Sequence, residues 1–424
     1  MKYNLDAQDN IDKIPYDSQP IYRQTNTNKR RKPEQKTPPS KLLSIVVCLL
    51  VVLNVVLCGL VINLSKNSNP PETNIFNIST DGTLDVSAVA DKTKSSVVAI
   101  HTGSISSVDA NSFYSLTNRG SGIIIDGDKE SGTCYILTCY HVVKNNVSNI
   151  WVLMSDSFNP VKASLVYTTA YSKMYDIAVL KLSSDEYKRS ASKPCEIGNS
   201  SLVRDGDGVI AYGNPQGTGL SVTSGEISKT INLVNVDGVY HRLLKTSAPI
   251  NGGNSGGGLF NAEGELIGIV NAKKNDDPSK GSYIDNIAFA IPIDVAYSLA
   301  MNMLKNQRPL KAQTGLSFAI QNTNIVYEKV NGKLLPKQTI LVKEITEGSA
   351  GELAGFEVGD EIVSFSYGET TDVSMRNLYS LEDHIFNLSV GDTVVFKIKR
   401  GNVEKTLNLK IKNSVAADSQ DWYR

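Results

Sequence analysis

Hydrophobic and polar positions divide the chain into blocks of different character. Residues 1–41 are polar, with Asn, Gln, Pro and Lys prominent and few large apolar side chains. Such a stretch buries too little surface to offset its ordering entropy, which predicts a disordered tail. Leu42 through Leu64 follow without a charge. As a helix, 42–64 would span about 34 Å against a hydrocarbon core of about 30 Å, which predicts a transmembrane helix. A signal-peptide core is shorter and lacks so long a leading tail. Residues 65–85, with Asn69-Pro70-Pro71, read as a stalk. From about 86 to 295, within a domain expected over 86–300, short apolar runs alternate with Gly, Asn and Asp. They predict strands at Val97–His101, Ser121–Asp126, Thr133–Thr138, Ile150–Met154, Ile177–Leu182, Val209–Tyr212, Leu266–Asn271 and Ile287–Ile291. Many short strands with turn signals between them indicate an all-β barrel or sandwich.

The pattern changes again near 300. Residues 296–313 predict a short helix and connector, with 301–313 as the linker. A second unit, 314–412, has strands at Leu341–Ile345, Glu361–Phe365 and Val394–Arg400 and helical stretches near 349–354 and 375–388. Residues 413–424 read as an unstructured tail.

Charge adds an orientation. The chain as a whole balances, 43 basic against 43 acidic residues, so no overall field draws it to nucleic acid. Locally, Lys29, Arg30, Arg31, Lys32, Lys36 and Lys41 precede the apolar block and only Lys66 lies just beyond it. The positive-inside rule puts the N-terminus in the cytoplasm and the rest of the chain outside. Cys134, Cys139 and Cys195 follow the span. They are too few for a disulfide framework and read as buried thiols, although a Cys134–Cys139 bridge is conceivable. The four histidines are scattered, without zinc spacing, so no metal is expected.

The candidate chemistry starts at Gly253-Asn254-Ser255-Gly256-Gly257. A serine between glycines has an accessible hydroxyl and unobstructed backbone N–H groups, the two things acyl transfer needs. His141 lies upstream in Leu137-Thr138-Cys139-Tyr140-His141-Val142-Val143, and Asp176 precedes the apolar run Ile177–Leu182. The order His, Asp, Ser is that of chymotrypsin. Each residue alone also has a plain reading, as a strand-end histidine, a turn aspartate and a turn serine. His101, His241 and His384 lack comparable frames and read as structural.

The contexts go further. Val86-Ser-Ala-Val-Ala-Asp-Lys, Ser95-Ser-Val-Val-Ala-Ile, Gly120-Ser-Gly-Ile-Ile-Ile, the His141, Asp176 and Ser255 segments, Ala211-Tyr-Gly-Asn-Pro-Gln-Gly, Val222-Thr-Ser-Gly-Glu-Ile-Ser and Ile287-Ala-Phe-Ala-Ile-Pro occur in one order. Together they resemble the trypsin-fold HtrA (Deg) protease family over residues 86–412. The resemblance implies an all-β double barrel with the active site in its cleft. It implies His141 as general base, Asp176 as its orienter, Ser255 as nucleophile, and the N–H groups of Gly253 and Ser255 as the oxyanion hole. Pro249, six before the nucleophile, and Ile250 would form the base of an S1 pocket that takes small or medium aliphatic side chains. Ser349 to Val363 resembles the core of a PDZ domain, a small α+β module. Gly315-Leu316-Ser317-Phe318 resembles its carboxylate-binding loop. Leu381 and Ile385 would line the peptide groove, or else be ordinary core.

Three departures from the family pattern stand out: Ser247 for a common aspartate, and Gly252 and Gly258 for common prolines. They predict a flexible loop before Ser255 that needs ordering before it works. The resemblance implies no cofactor. It implies a membrane-anchored serine endopeptidase that degrades unfolded or misfolded extracytoplasmic proteins, with protein C-termini as PDZ partners and a homotrimer as a further expectation. The alternatives are a non-catalytic peptide-binding receptor or chaperone, and a signalling protease with one specific partner.

Overall fold

The computed structural model describes residues 84–236, 239–271, 288–321 and 325–418. The tail and apolar block expected at 1–41 and 42–64 lie outside these residues. Among the described residues, no helix is long and apolar enough to cross a membrane.

Strands β1 (Val97–Thr102), β2 (Asn118–Asp128), β3 (Thr133–Cys139), β4 (Ile150–Met154), β5 (Val161–Leu165), β6 (Tyr171–Ser172) and β7 (Ile177–Ser183) form one antiparallel sheet. Its order is β3-β2-β1-β4-β5-β7-β6, and β3 also pairs with β7, closing six of the strands into a barrel. Inward side chains such as Ile100, Ile123, Ile136, Val152 and Leu180 are fully buried. Strands β8 (Gly208–Gly213), β9 (Ser221–Val236), β10 (Val239–Thr246), β11 (Gly258–Phe260), β12 (Leu266–Asn271) and β13 (Ala288–Pro292) close a second barrel in the order β10-β13-β12-β11-β8-β9. Its core is a separate cluster that includes Val209, Ile227, Leu244, Leu259, Ile267 and Val270.

The expected linker is not a linker. A helix runs over Ile293–Asn306 and ends at Gln307, which takes the left-handed conformation (φ 63°) that commonly stops a helix. Strand β14 (Leu310–Gln313) follows at once. The tail expected to be unstructured also departs from that reading. In it, β23 (Asn413–Ala416) pairs with β14 in register Leu310↔Ala416 to Gln313↔Asn413. Ile411 and Ala417, on either side of the strand, are buried, so the segment has apolar anchors as well as backbone pairing.

Between these two strands lies a sheet of β15 (Leu316–Ile320), β18 (Ile340–Ile345), β19 (Glu361–Tyr367), β21 (Thr393–Arg400) and β22 (Val403–Lys410), with β20 (Thr370–Ser374) beside β19. A hairpin of β16 (Val326–Val330) and β17 (Lys333–Lys337) forms its own two-stranded sheet, tied to β20 where Ser374 Oγ donates to Glu328 Oε2 at 2.7 Å. The helix expected over 375–388 shrinks to Glu382–Ile385. The reason is local. Ser380 Oγ accepts from the N–H groups of Arg376 and Asn377, both at 3.1 Å, and Asn377 Oδ1 accepts from Tyr379 N at 2.8 Å. These side chains offer the backbone an alternative to the helical ladder.

The second unit docks firmly on the barrels. The Arg242 guanidinium of β10 meets the Asp383 carboxylate at 2.6 Å, with both side chains almost fully buried. Asn302 Nδ2 donates to Phe386 O at 2.7 Å, and Tyr175 OH donates to Glu382 Oε1 at 2.9 Å.

Candidate active site

His141 sits in a single helical turn, Tyr140–Val143, at the end of β3, and Asp176 immediately precedes β7. The β3–β7 pairing, with Cys139 opposite Ile177, brings the two together. His141 Nδ1 and Asp176 Oδ2 are 2.5 Å apart, and the His141 backbone N–H donates to Asp176 Oδ1 at 2.9 Å. Both carboxylate oxygens therefore face one residue. A carboxylate on Nδ1 favours the tautomer with that nitrogen protonated, leaving Nε2 free to take a proton. Asp176 adopts φ 54°, a left-handed conformation that aspartate tolerates better than most residues. Its own carbonyl accepts from Tyr140 N at 3.0 Å.

Ser255 comes from the second barrel, in the turn before β11, and is 4% exposed. Its neighbourhood is fastened to the first barrel. Ser121 N donates to Ser255 O at 2.8 Å, and Thr138 Oγ1 donates to Ser121 O at 2.6 Å. Gly256 has φ 84°, and a Cβ there would overlap Ser121 O and Thr138 Oγ1 and press on Cys139 N. The serine turn thus packs directly on the strand end that leads into His141.

The loop before the serine is tied at two successive carbonyls. Gln216 N donates to Gly252 O at 2.7 Å, and Ser121 Oγ donates to Gly253 O at 2.8 Å. Asn214 N in turn donates to Ser121 Oγ at 2.8 Å. Gly253 has φ 99°, and a Cβ would overlap the Asn214 carbonyl. The flexibility expected from Gly252 is therefore countered from outside the loop. Ser247, another of the three departures, accepts from Glu226 N at 3.0 Å through its hydroxyl.

Several residues of the site were not singled out by sequence reasoning. Asn271, at the end of β12, donates from Nδ2 to Asp176 Oδ2 at 3.1 Å. His101, expected to be structural, is fully buried and stacks on Phe113 with centroids 4.0 Å apart. Its Nδ1 is 2.9 Å from Phe113 O and its Nε2 is 2.9 Å from Asn214 Nδ2. The first contact requires a proton on Nδ1, so Nε2 accepts from the Asn214 amide. Burial, opposed by the Phe113 carbonyl, lowers this imidazole to about 4. Ser121 and Asn214 lie in the glycine motifs that carried the resemblance; their hydroxyl and amide chemistry was the available signal.

The remaining expected residues fall as follows. Pro249 is exposed, with its carbonyl held by Thr223 Oγ1 at 2.8 Å. Ile250 packs against the core of the second barrel. Gly315 takes φ 71°, but Leu316, Ser317 and Phe318 belong to strand β15 rather than to a loop, because they pair with β18. Leu381 and Ile385 are 5% and 4% exposed and belong to the hydrophobic core. Among the described residues Cys134, Cys139 and Cys195 form no disulfide, and Cys195 is partly exposed rather than buried. Burial pushes the Cys134 thiol up to about 12.

Residues 120–269 match the trypsin-like peptidase domain family and residues 311–411 the PDZ domain family. The chain is 28% identical over 376 residues to the serine protease Do-like HtrA of Lactococcus lactis subsp. cremoris, covering 83% of this chain and 88% of the relative. It is 32% identical over 306 residues to the serine protease Do-like HtrA of Bacillus subtilis, covering 70% of this chain and 64% of that one. Among solved structures, the HtrA-type protease AlgW with a tripeptide has 24% identity and a TM-score of 0.49, covering 76% of this chain and 95% of that chain. The chain belongs to the HtrA family of serine endopeptidases, with a trypsin-like peptidase domain followed by a PDZ domain.

Proposed function

We propose that the chain is a membrane-anchored serine endopeptidase acting outside the cytoplasm on unfolded or misfolded polypeptides, with His141, Asp176 and Ser255 as its triad. The observation that carries the catalytic reading is the double contact between His141 and Asp176, through Nδ1 and through the backbone N–H. In this reading Ser255 Oγ attacks the scissile carbonyl while His141 Nε2 takes the hydroxyl proton. The carbonyl π pair moves onto oxygen, and the oxyanion meets the N–H groups of Gly253 and Ser255. Collapse breaks the C–N bond, and the leaving amine takes the proton from His141. Water then repeats the sequence on the acyl ester, releasing acid and regenerating Ser255.

The peptide bond between Gly252 and Gly253 supports the oxyanion role. It is planar, so pinning its oxygen on Gln216 N–H turns the Gly253 N–H the opposite way. With no acid at Pro249 or Ile250, the specificity pocket takes small or medium aliphatic side chains. The PDZ unit binds C-termini or extended segments along the edge of β15 by strand addition. Residues 42–64 anchor the chain, with 1–41 cytoplasmic, and the working assembly is a homotrimer.

Fluorophosphonate labelling and casein degradation by the full-length chain test the catalytic reading. Ser255→Ala abolishes labelling and lowers kcat by up to roughly 10⁶-fold, and Asp176→Asn lowers it by roughly 10⁴-fold. Undiminished casein degradation by Ser255→Ala excludes the assignment.

A further inference from the structure

The turn that delivers Asp176 is held from far along the chain. Asp418 Oδ1 accepts from Ser172 Oγ at 2.5 Å and from Met174 N at 3.2 Å, while Oδ2 accepts from Lys173 N at 2.9 Å. Ser172 Oγ also accepts from Tyr175 N at 3.2 Å. One carboxylate therefore gathers, directly or through a single hydroxyl, the donors of all four residues that precede Asp176. Asp418 reaches this turn because β23 is paired with β14 and because Ala417 N donates to Pro309 O at 3.0 Å.

We infer that Asp418 is a positioning residue for catalysis, a capping carboxylate that fixes the 172–175 turn and so sets the approach of Asp176 to His141. The inference rests on the triad proposed above. Asp176 holds a left-handed φ of 54°, a conformation that persists only where the surroundings over-determine it. From the far side, Tyr140 N holds the Asp176 carbonyl at 3.0 Å. On the near side the pinning comes from Asp418, through charge-assisted bonds stronger than those of a neutral acceptor. Without that carboxylate, the Lys173 and Met174 N–H groups turn to water and the backbone ahead of Asp176 relaxes. The His141–Asp176 contact is short and doubly bonded, so a small displacement of the turn weakens both of its bonds at once.

The test uses the full-length chain and the time course of fluorophosphonate labelling at Ser255. The saturating rate constant, the apparent affinity for the probe, the end-point labelled fraction and the melting temperature are measured together. Asp418→Ala is expected to lower the saturating rate constant about tenfold, as small misplacements in active sites do, with probe affinity and end-point fraction unchanged. Asp418→Asn keeps one acceptor oxygen and is expected to recover part of the rate. Should Asp418→Ala fail to fold, Ser172→Ala removes the hydroxyl that links Asp418 to Tyr175 N and is expected to lower the same rate constant. A folded Asp418→Ala that labels at the wild-type rate overturns the inference. So does one that loses end-point fraction while its remaining molecules react at the wild-type rate, because that pattern marks a purely structural tether. Absence of labelling in the wild-type chain would instead count against the triad itself.

Discussion

The backbone N–H of Gln216 donates to the carbonyl of Gly252 at 2.7 Å, so a residue of the first loop of the second barrel sets the orientation of a peptide in the serine loop. Gln216 does this from a left-handed conformation, φ 55°, with its carbonyl held by the Arg119 guanidinium. Gln216→Gly keeps the N–H and relieves the strain, so kcat is expected to stay within about twofold. Gly253→Ala has no room against the Asn214 carbonyl and is strained at φ 99°. It is expected to lower kcat by roughly 10²- to 10³-fold, the usual cost of losing one oxyanion donor. Steady-state kinetics on a peptide substrate checks both. Wild-type kcat in Gly253→Ala would exclude this peptide from the oxyanion hole.

Asn271 donates to the same Asp176 oxygen that faces His141 Nδ1. Asn271→Leu removes that donor while roughly keeping the volume. A drop in kcat of about tenfold with little change in KM is expected, since the bond serves the transition state through Asp176. A rise in KM alone would show that Asn271 serves substrate binding instead.

His101 makes stability depend on pH. Its imidazole falls from 6.5 to about 4 in the folded protein, chiefly because burial disfavours the charged form. The unfolded chain therefore binds the proton first. Full stability is present above pH 6.5 and is lost as pH falls towards 4, by up to about 3 kcal/mol. Denaturant midpoints measured between pH 7.5 and 4.5 should fall more steeply for the wild type than for His101→Gln. Equal slopes would remove His101 from the account.

The Arg242–Asp383 pair joins the second barrel to the PDZ unit, with side chains only 6% and 3% exposed. Removing one partner leaves a buried charge uncompensated. Arg242→Ala is therefore expected to destabilise the folded chain by about 3–5 kcal/mol, whereas the double change Arg242→Met, Asp383→Leu costs much less. Melting curves of Arg242→Ala, of Asp383→Leu and of the double change check this. Additive losses would show that the two charges do not act as a pair.

The strands, and the frame that sets His141 beside Asp176, were legible because both depend on local pattern. Short apolar runs with turn residues between them matched strands such as β1, β3, β4 and β12 to within a residue or two. What the sequence could not show was long-range capture. Nothing in residues 375–381 announces that Ser380 and Asn377 will take the backbone donors a helix needs. The strand at 413–416 exists because an edge at 310–313 awaits it, a pairing across the whole PDZ unit. Leu381 and Ile385 have the spacing of a groove face, yet burial against neighbouring elements made them core. Ser121 and Asn214 stood in plain view within glycine motifs. Only the closure of two barrels revealed that one hydroxyl and one amide link a buried imidazole to the serine loop.

The pairing of β14 with β23 means that the PDZ unit is entered and left through one two-stranded ribbon. A single connecting strand could swivel about its own bonds, but a ribbon resists twisting and can only flex across its face. Any reorientation of the PDZ unit therefore has to bend or unzip this ribbon as well as break the buried Arg242–Asp383 pair.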